Sequence, residues 1–107
     1  PDREKIIQTC SKSAIAVDYI RTKEFDKALE TINEYIKTGE SKNQKYEICS
    51  GYAIRAAIYK QSGDKNAYKK DYDNVDSECS YYKFAKKYIE ADNILDVYIK
   101  NKDKYKF

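Results

Sequence analysis

The sequence predicts an all-α fold, and three observations carry this prediction. Apolar side chains recur three and four residues apart over most of the chain, which is the spacing of one helix face. The 107 residues include only three glycines and one proline, and 36% are charged, a composition typical of solvated helices. Twelve tyrosines argue against disorder, because disordered chains are poor in aromatic residues. Residues 1–107 are therefore expected to form a single α-helical domain.

A first helical hairpin is predicted over about residues 4–38. Its first helix, from about residue 4 to 22, carries one apolar stripe: Ile6, Ile7, Cys10, Ala14 and Val17. The segment "RTKEF" at 21–25 is a short polar turn. The second helix runs from about Phe25 to Lys37, and Gly39 in the following "TGES" is predicted to stop it.

A second hairpin is predicted over about residues 44–78, followed by a single capping helix over about 82–103. The third helix, about 44–61, ends where "QSGDKN" places Gly63, and the fourth follows from about 65 to 76. The last helix carries its apolar residues at spacings of four and three: Phe84, Tyr88, Ala91, Leu95 and Tyr98. Short connections make consecutive helices antiparallel neighbours.

An internal repeat appears when the sequence is shifted by 40 residues. Ala16 then aligns with Ala56, Tyr19 with Tyr59, and the turn at Lys23 with Gly63. A weaker third match falls at 96–105. Because the polar break recurs at the same place, the pattern indicates a repeated helix-to-turn unit.

These residues resemble the tetratricopeptide (TPR) repeat. The first copy places a small residue, an aromatic, a turn, a second aromatic and an alanine in order: Ala16, Tyr19, Thr22–Lys23, Phe25 and Ala28. The second copy has Ala56, Tyr59, Gly63 and Ala67, with Lys65 where an aromatic is usual. The family's period is about 34 residues, and its opening tryptophan and closing proline are missing here. The longer Sel1-like repeat and a plain helical bundle are the alternatives.

The resemblance implies a right-handed superhelix of two antiparallel hairpins plus a C-terminal capping helix. Such a fold binds a protein or an extended peptide on its concave face. Twelve residues would line that face here: Ser13, Val17, Ile20, Arg21, Ala53, Ala57, Lys60, Gln61, Asn93, Val97, Lys100 and Asn101. The cations among them favour an acidic partner. Packing inside the fold is the alternative role for the apolar members. Ser13 and Val17 stand where the lysine–asparagine clamp of the chaperone-binding members begins, so that activity is not expected.

Catalysis, cofactor binding and nucleic-acid binding are not predicted. The sequence has no histidine and no Gly-rich phosphate loop. The acidic segment "DYDNVDSE" at 71–78 lacks the glycine and the glutamate spacing of a calcium loop, which leaves a solvated helix end as the expectation. The net charge of +3 is spread evenly rather than gathered into a basic stripe. No stretch approaches the ~20 apolar residues that span a bilayer.

The cysteines leave two interpretations open. Cys49 lies 14 residues before Gly63 and Cys79 lies 16 after it, so an antiparallel hairpin brings the two side by side. A disulfide there is slightly favoured over three buried free thiols, and it would leave Cys10 unpaired. The disulfide would also favour an exported or periplasmic location, since disulfides persist in oxidising compartments.

Two functions from other classes stay open as alternatives to a binding scaffold. The stripe on the last helix allows a structural module that self-associates, for example as a homodimer, through its C-terminal helix. Tyrosine-rich RNA binding is a third hypothesis, which the even charge distribution disfavours.

Overall fold

The computed structural model describes the backbone of residues 12–104 and the side chains of residues 12–100. Six helices make up this part of the chain: α1 (Lys12–Arg21), α2 (Phe25–Ser41), α3 (Lys45–Ser62), α4 (Lys65–Glu78), α5 (Phe84–Glu90) and α6 (Ile94–Lys104). The described residues contain no strand, so the prediction of an all-α fold is confirmed. Ile6, Ile7 and Cys10 lie outside the described residues, as does the side chain of Asn101.

Helix α3 is the centre of the structure, packing against α2 and α4 and, on another side, against α5. Helix α1 pairs with α2 and also contacts α3, while α6 contacts α1 and α5. Small residues occupy the crossing of α1, α2 and α3, where Ala16, Ala28, Ala53 and Ala56 are all fully buried. Alanines at these positions allow the helix axes to approach closely, and larger apolar side chains fill the space on either side: Val17, Ile20, Ile32, Ile36, Ile54 and Ile58.

The two predicted turns at Lys23 and Gly63 have matching backbone conformations. Both residues lie in the left-handed region, with φ of 62° at Lys23 and 89° at Gly63. After each turn the next backbone N–H bonds back to a tyrosine carbonyl, at 2.8 Å to Tyr19 and 3.0 Å to Tyr59. The offset of 40 residues therefore relates two structurally similar turns. The third match, at 96–105, is different, because α6 is helical through Lys104.

Gly39 does not stop the second helix as predicted, because α2 continues past it to Ser41. The turn forms instead at Asn43, which has a φ of 53°. Gly39 is buried, and a Cβ built on it would lie 3.1 Å from Glu47 Cβ on α3. Its role is thus a close approach between the end of α2 and the start of α3, rather than helix termination.

The single capping helix predicted over about 82–103 is in fact two helices, α5 and α6. Ala91, which follows α5, is extended with a ψ of 136°, and Asp92 and Asn93 favour turns and caps over helix interiors. The break directs α6 back onto α1, where the Tyr98 hydroxyl lies 2.8 Å from Ser13 Oγ.

A charged network joins α2, α3 and α4. The guanidinium of Arg55 donates two hydrogen bonds to the Asp71 carboxylate, at 2.7 and 2.8 Å, and a third to Asn33 Oδ1 at 2.9 Å. Hydrogen bonding to Asp71 raises the pKa of Arg55, and Asp71 is only 2% exposed. The Arg55–Asp71 pair therefore holds α3 against α4 within the second hairpin, and the bond to Asn33 adds a link to α2 of the first hairpin.

The Cys49–Cys79 disulfide is present, which confirms that prediction. The two Cα atoms are 5.6 Å apart, and both side chains are buried. Cys49 lies in the first half of α3 and Cys79 directly follows α4. The bridge therefore closes the open end of the second hairpin and holds the start of the connection to α5.

Candidate functional site

Several residues predicted to line a concave groove are buried within the domain. Ser13, Val17, Ala53 and Ala57 are each at most 3% exposed, and Ile20 is also buried. Helix α5 packs on α3 and helix α6 packs on α1. The chain's own last two helices therefore contact the helices that carry these residues.

The other predicted groove residues lie nearer to solvent. Val97 is half-buried, and five are exposed: Arg21, Lys60, Gln61, Asn93 and Lys100. Arg21 pairs with Asp18 at 2.9 Å. Lys60 Nζ donates a hydrogen bond of 3.1 Å to the carbonyl of Ile89, close to the C-terminus of α5. Arg21 and Lys60, two of the cations predicted to bind an acidic partner, thus also form bonds within the domain.

A cluster of hydroxyl groups lies between α1, α2, α3 and α6. Ser13 bonds to Tyr98, and the Tyr35 phenol bonds to Ser13 and Ser50. Burial, and then the nearby Glu47 carboxylate, raise the pKa of Tyr35 well above its ordinary value near 10. The phenol therefore stays protonated at neutral pH, as suits a group whose hydrogen bonds join helices.

The most distinctive surface lies at the disulfide end of the domain, and we call it the aromatic end: Tyr46, Tyr81, Tyr82 and Phe84. Tyr81 is 86% exposed, and its ring meets that of Tyr82 edge to face at 5.1 Å between centroids. Tyr82 in turn lies 5.8 Å from both Tyr46 and Phe84, which are 5.0 Å apart. Aromatic pairs in this range are worth about 0.5–1.5 kcal/mol beyond their burial. The exposed ring thus continues a packed aromatic cluster.

An open pocket of about 220 Å³ lies beside this cluster, between the end of α4 and the start of α5. Apolar, polar and charged residues line this pocket together: Val75, Asp76, Cys79, Ser80, Tyr82, Lys83 and Lys86. Lys86 bonds to Asp76 at 2.7 Å and lies 5.8 Å from the centroid of Tyr72, and the hydrogen bond raises the pKa of Lys86. Lys83 is exposed and forms no ion pair with residues 12–100.

The turn that presents Tyr81 is held at several points. The N–H of Cys79 bonds to the carbonyl of Val75 at 3.0 Å, and the N–H of Tyr82 bonds to the carbonyl of Cys79 at 2.8 Å. Cys79 is also covalently joined to α3. Tyr46, Tyr81 and Tyr82 were not predicted as binding residues, and Phe84 was predicted only as part of the stripe on the last helix. The signal available was the pair of tyrosines in "CSYYK", directly after a bridging cysteine and between two helices.

The described part of the chain offers no metal site and no membrane span. Within it, no group of three or more histidine, cysteine, aspartate or glutamate side chains is placed to hold an ion. In the segment 71–78, Asp71 is bonded to Arg55 and Asp76 to Lys86. None of the helices described is both long and apolar enough to cross a bilayer.

Comparison with known proteins gives no match: no family model fits the chain, and no curated protein or solved structure shows significant similarity to it. The likeness to the tetratricopeptide pattern accordingly depends on the residues of this chain.

Proposed function

We propose that this domain is a non-catalytic scaffold that binds a protein or an extended peptide. In this proposal it belongs with TPR-like helical repeats, as two hairpins, α1–α2 and α3–α4, followed by the pair α5–α6. The paired turns at Lys23 and Gly63 and the buried alanines between the hairpins support the relationship. The contacts of α5 and α6 with the inner helices favour a binding surface at the aromatic end instead of the concave face.

The observation that carries this proposal is the exposure of Tyr81 beside a pocket. A single exposed apolar residue is ordinary on a protein surface. Tyr81 differs because its two neighbours in the chain, Ser80 and Tyr82, line an open pocket, and because its ring packs on Tyr82, which belongs to a partly buried aromatic cluster. Tyrosine is enriched among the residues that dominate binding energy at interfaces. Because its side chain has few torsions, it loses little conformational entropy when it is immobilised.

The disulfide supports a site of action in an oxidising compartment, such as the periplasm or another exported location. Disulfides form and persist there, while the cytosol keeps most thiols reduced. Because the bridge is buried and the turn bearing Tyr81 begins at Cys79, oxidising conditions favour both the fold and the surface proposed for binding.

A selection of peptides from a random displayed library tests the proposal. The bait is the intact, disulfide-bonded chain, and an immobilised, chemically unfolded sample of the same chain removes peptides that bind nonspecifically. We expect enriched sequences that bind with micromolar dissociation constants and lose at least tenfold in affinity when Tyr81 is changed to alanine. Failure to enrich any sequence on the folded chain would overturn the proposal.

Self-association through α6 is a second candidate, and exposure of Ile99 favours it. Ile99 is 50% exposed, whereas Phe84 and Tyr88 of the predicted self-association stripe are buried against the rest of the domain. Sedimentation of the wild-type chain and of Ile99→Glu distinguishes the two functions. A dimer that the substitution dissociates supports self-association, while a monomer in both samples removes this candidate.

A further inference from the structure

We propose that the pocket beside Tyr81 receives a peptide segment in which an apolar and an acidic side chain lie two residues apart. The proposal rests on the binding function above and names the partner's chemistry. The apolar side chain occupies the depression against Val75 and Tyr82, which line it, and the exposed ring of Tyr81 packs on Tyr82. The carboxylate pairs with Lys83 at the rim.

The size of the pocket favours a side chain of a larger partner over a free small molecule. Its volume of about 220 Å³ is below the ~300–1,000 Å³ of typical small-molecule sites. At protein interfaces a few anchor side chains commonly fill pockets of this kind and carry most of the binding energy. One apolar anchor therefore suits the available space.

The charged residues that line the pocket determine which charge on the partner's side chain is favourable. Asp76 is paired with Lys86, which also lies over the ring of Tyr72, so these two lining residues largely compensate each other. The positive charge of Lys83 is then the one charge of the pocket lining that no ion pair within residues 12–100 compensates. Glu78, the exposed acidic residue at the end of α4, is not among the residues that line the pocket. A carboxylate on the partner is thus complementary to this rim.

The spacing of the two side chains follows from the geometry of an extended backbone. Alternate residues of an extended chain point to the same side, so residues two apart face one surface together. The turn is already ordered by its backbone hydrogen bonds and by the disulfide. Little conformational entropy is lost on binding when a surface is ordered beforehand.

Fluorescence anisotropy with defined peptides on the intact chain tests the inference. The probe is a labelled peptide with leucine and glutamate two residues apart in a serine–glycine background. Control peptides carry serine for leucine, or lysine for glutamate. We expect Lys83→Glu to weaken binding of the probe by about three- to tenfold, since an exposed ion pair is worth up to ~1 kcal/mol and the reversal adds repulsion. Tyr81→Ala is expected to weaken it at least tenfold.

Two further measurements separate a specific site from general electrostatics. Lys37→Glu makes the same charge change at an exposed position on α2, and it is expected to leave affinity for the probe unchanged. The lysine-containing peptide is expected to prefer the Lys83→Glu chain over the wild type. Equal losses in the Lys83 and Lys37 variants would overturn the inference.

Failure of this inference is distinguishable from failure of the proposed function. Suppose that library-selected peptides bind the folded chain, but the leucine–glutamate probe either does not bind or binds with an affinity that Lys83→Glu and Tyr81→Ala leave unchanged. The pocket assignment is then overturned and peptide binding stands. Absence of any selected peptide overturns both. Thermal unfolding of each variant shows whether it remains folded, and Tyr81→Phe provides a second, more conservative variant of the exposed ring.

Discussion

Removal of the disulfide should destabilise this domain by a large part of its total stability. The bridge joins residues separated by 30 positions. In the chain-entropy treatment, closing a loop of that length in the unfolded state is worth about 3–4 kcal/mol. Domains of this size have a total stability of roughly 5–15 kcal/mol. Changing Cys49 and Cys79 to alanine also removes two buried sulfurs, which adds roughly 1 kcal/mol for each poorly filled space.

Urea unfolding monitored by circular dichroism measures this loss. With a denaturant slope of about 1–3 kcal/mol per molar, a loss of about 3–4 kcal/mol lowers the midpoint by about 1–4 M. All samples carry Cys10→Ala, so that no third thiol can exchange with the bridge. The reduced chain retains both sulfurs and serves as the matched control, because it separates the covalent constraint from packing. A urea midpoint that moves by less than about 0.5 M on reduction would refute the prediction that the disulfide stabilises the fold.

The remaining predictions concern one helix crossing and one partly buried phenol. Gly51→Ala should destabilise the domain by about 1–2 kcal/mol, because its Cβ would lie 2.3 Å from Ile36 Cγ1 and overpacking outweighs the ~1 kcal/mol gain in helix propensity. Thermal unfolding should show the loss in the wild type and no loss in an Ile36→Ala background. For Tyr35, burial raises the pKa of the phenol in the folded state, so its contribution is complete below the unfolded pKa near 10 and is lost as pH rises above it. Tyr35→Phe should therefore reduce the fall in urea midpoint at alkaline pH, and identical pH slopes in the two proteins would contradict this assignment.

The features that were predictable from sequence are those set by neighbouring residues. The turn at Gly63 could be placed because glycine adopts a positive φ without strain. Once that turn was placed, equal distances along two antiparallel helices put Cys49 opposite Cys79. The apolar spacing located most helix boundaries to within a few residues.

The features that were missed depend on contacts between distant parts of the chain. Gly39 and Asn43 are both plausible ends for α2, and the choice follows from how closely α2 must approach Glu47. The residues around Ala91 give only a weak local signal for a helix break. The consequence of the break is that α6 returns to Ser13, which is visible only in three dimensions. Periodicity placed Phe84 and Tyr88 on one face of a capping helix, and both are buried, but it could not show that this helix divides after Glu90.

The exposure of Tyr81 shows why composition alone could not locate the candidate site. Twelve tyrosines distinguish the chain from a disordered one, but most of those described are at least partly buried. Tyr81 and Tyr82 are adjacent in sequence and differ in environment because the turn after Cys79 directs Tyr82 toward Tyr46 and leaves Tyr81 in solvent.

The same covalent bond that stabilises the fold also determines the geometry of the proposed binding surface. Cys79 contributes to the pocket wall, accepts the backbone hydrogen bond from Tyr82, and is joined to α3 through Cys49. Reduction is therefore expected to make the turn less ordered as well as to lower the free energy of unfolding. Since an anchor side chain binds best when its position is fixed beforehand, peptide affinity should decrease on reduction even under conditions in which the helices remain folded. The disulfide thus links the stability of this domain to its proposed capacity to bind.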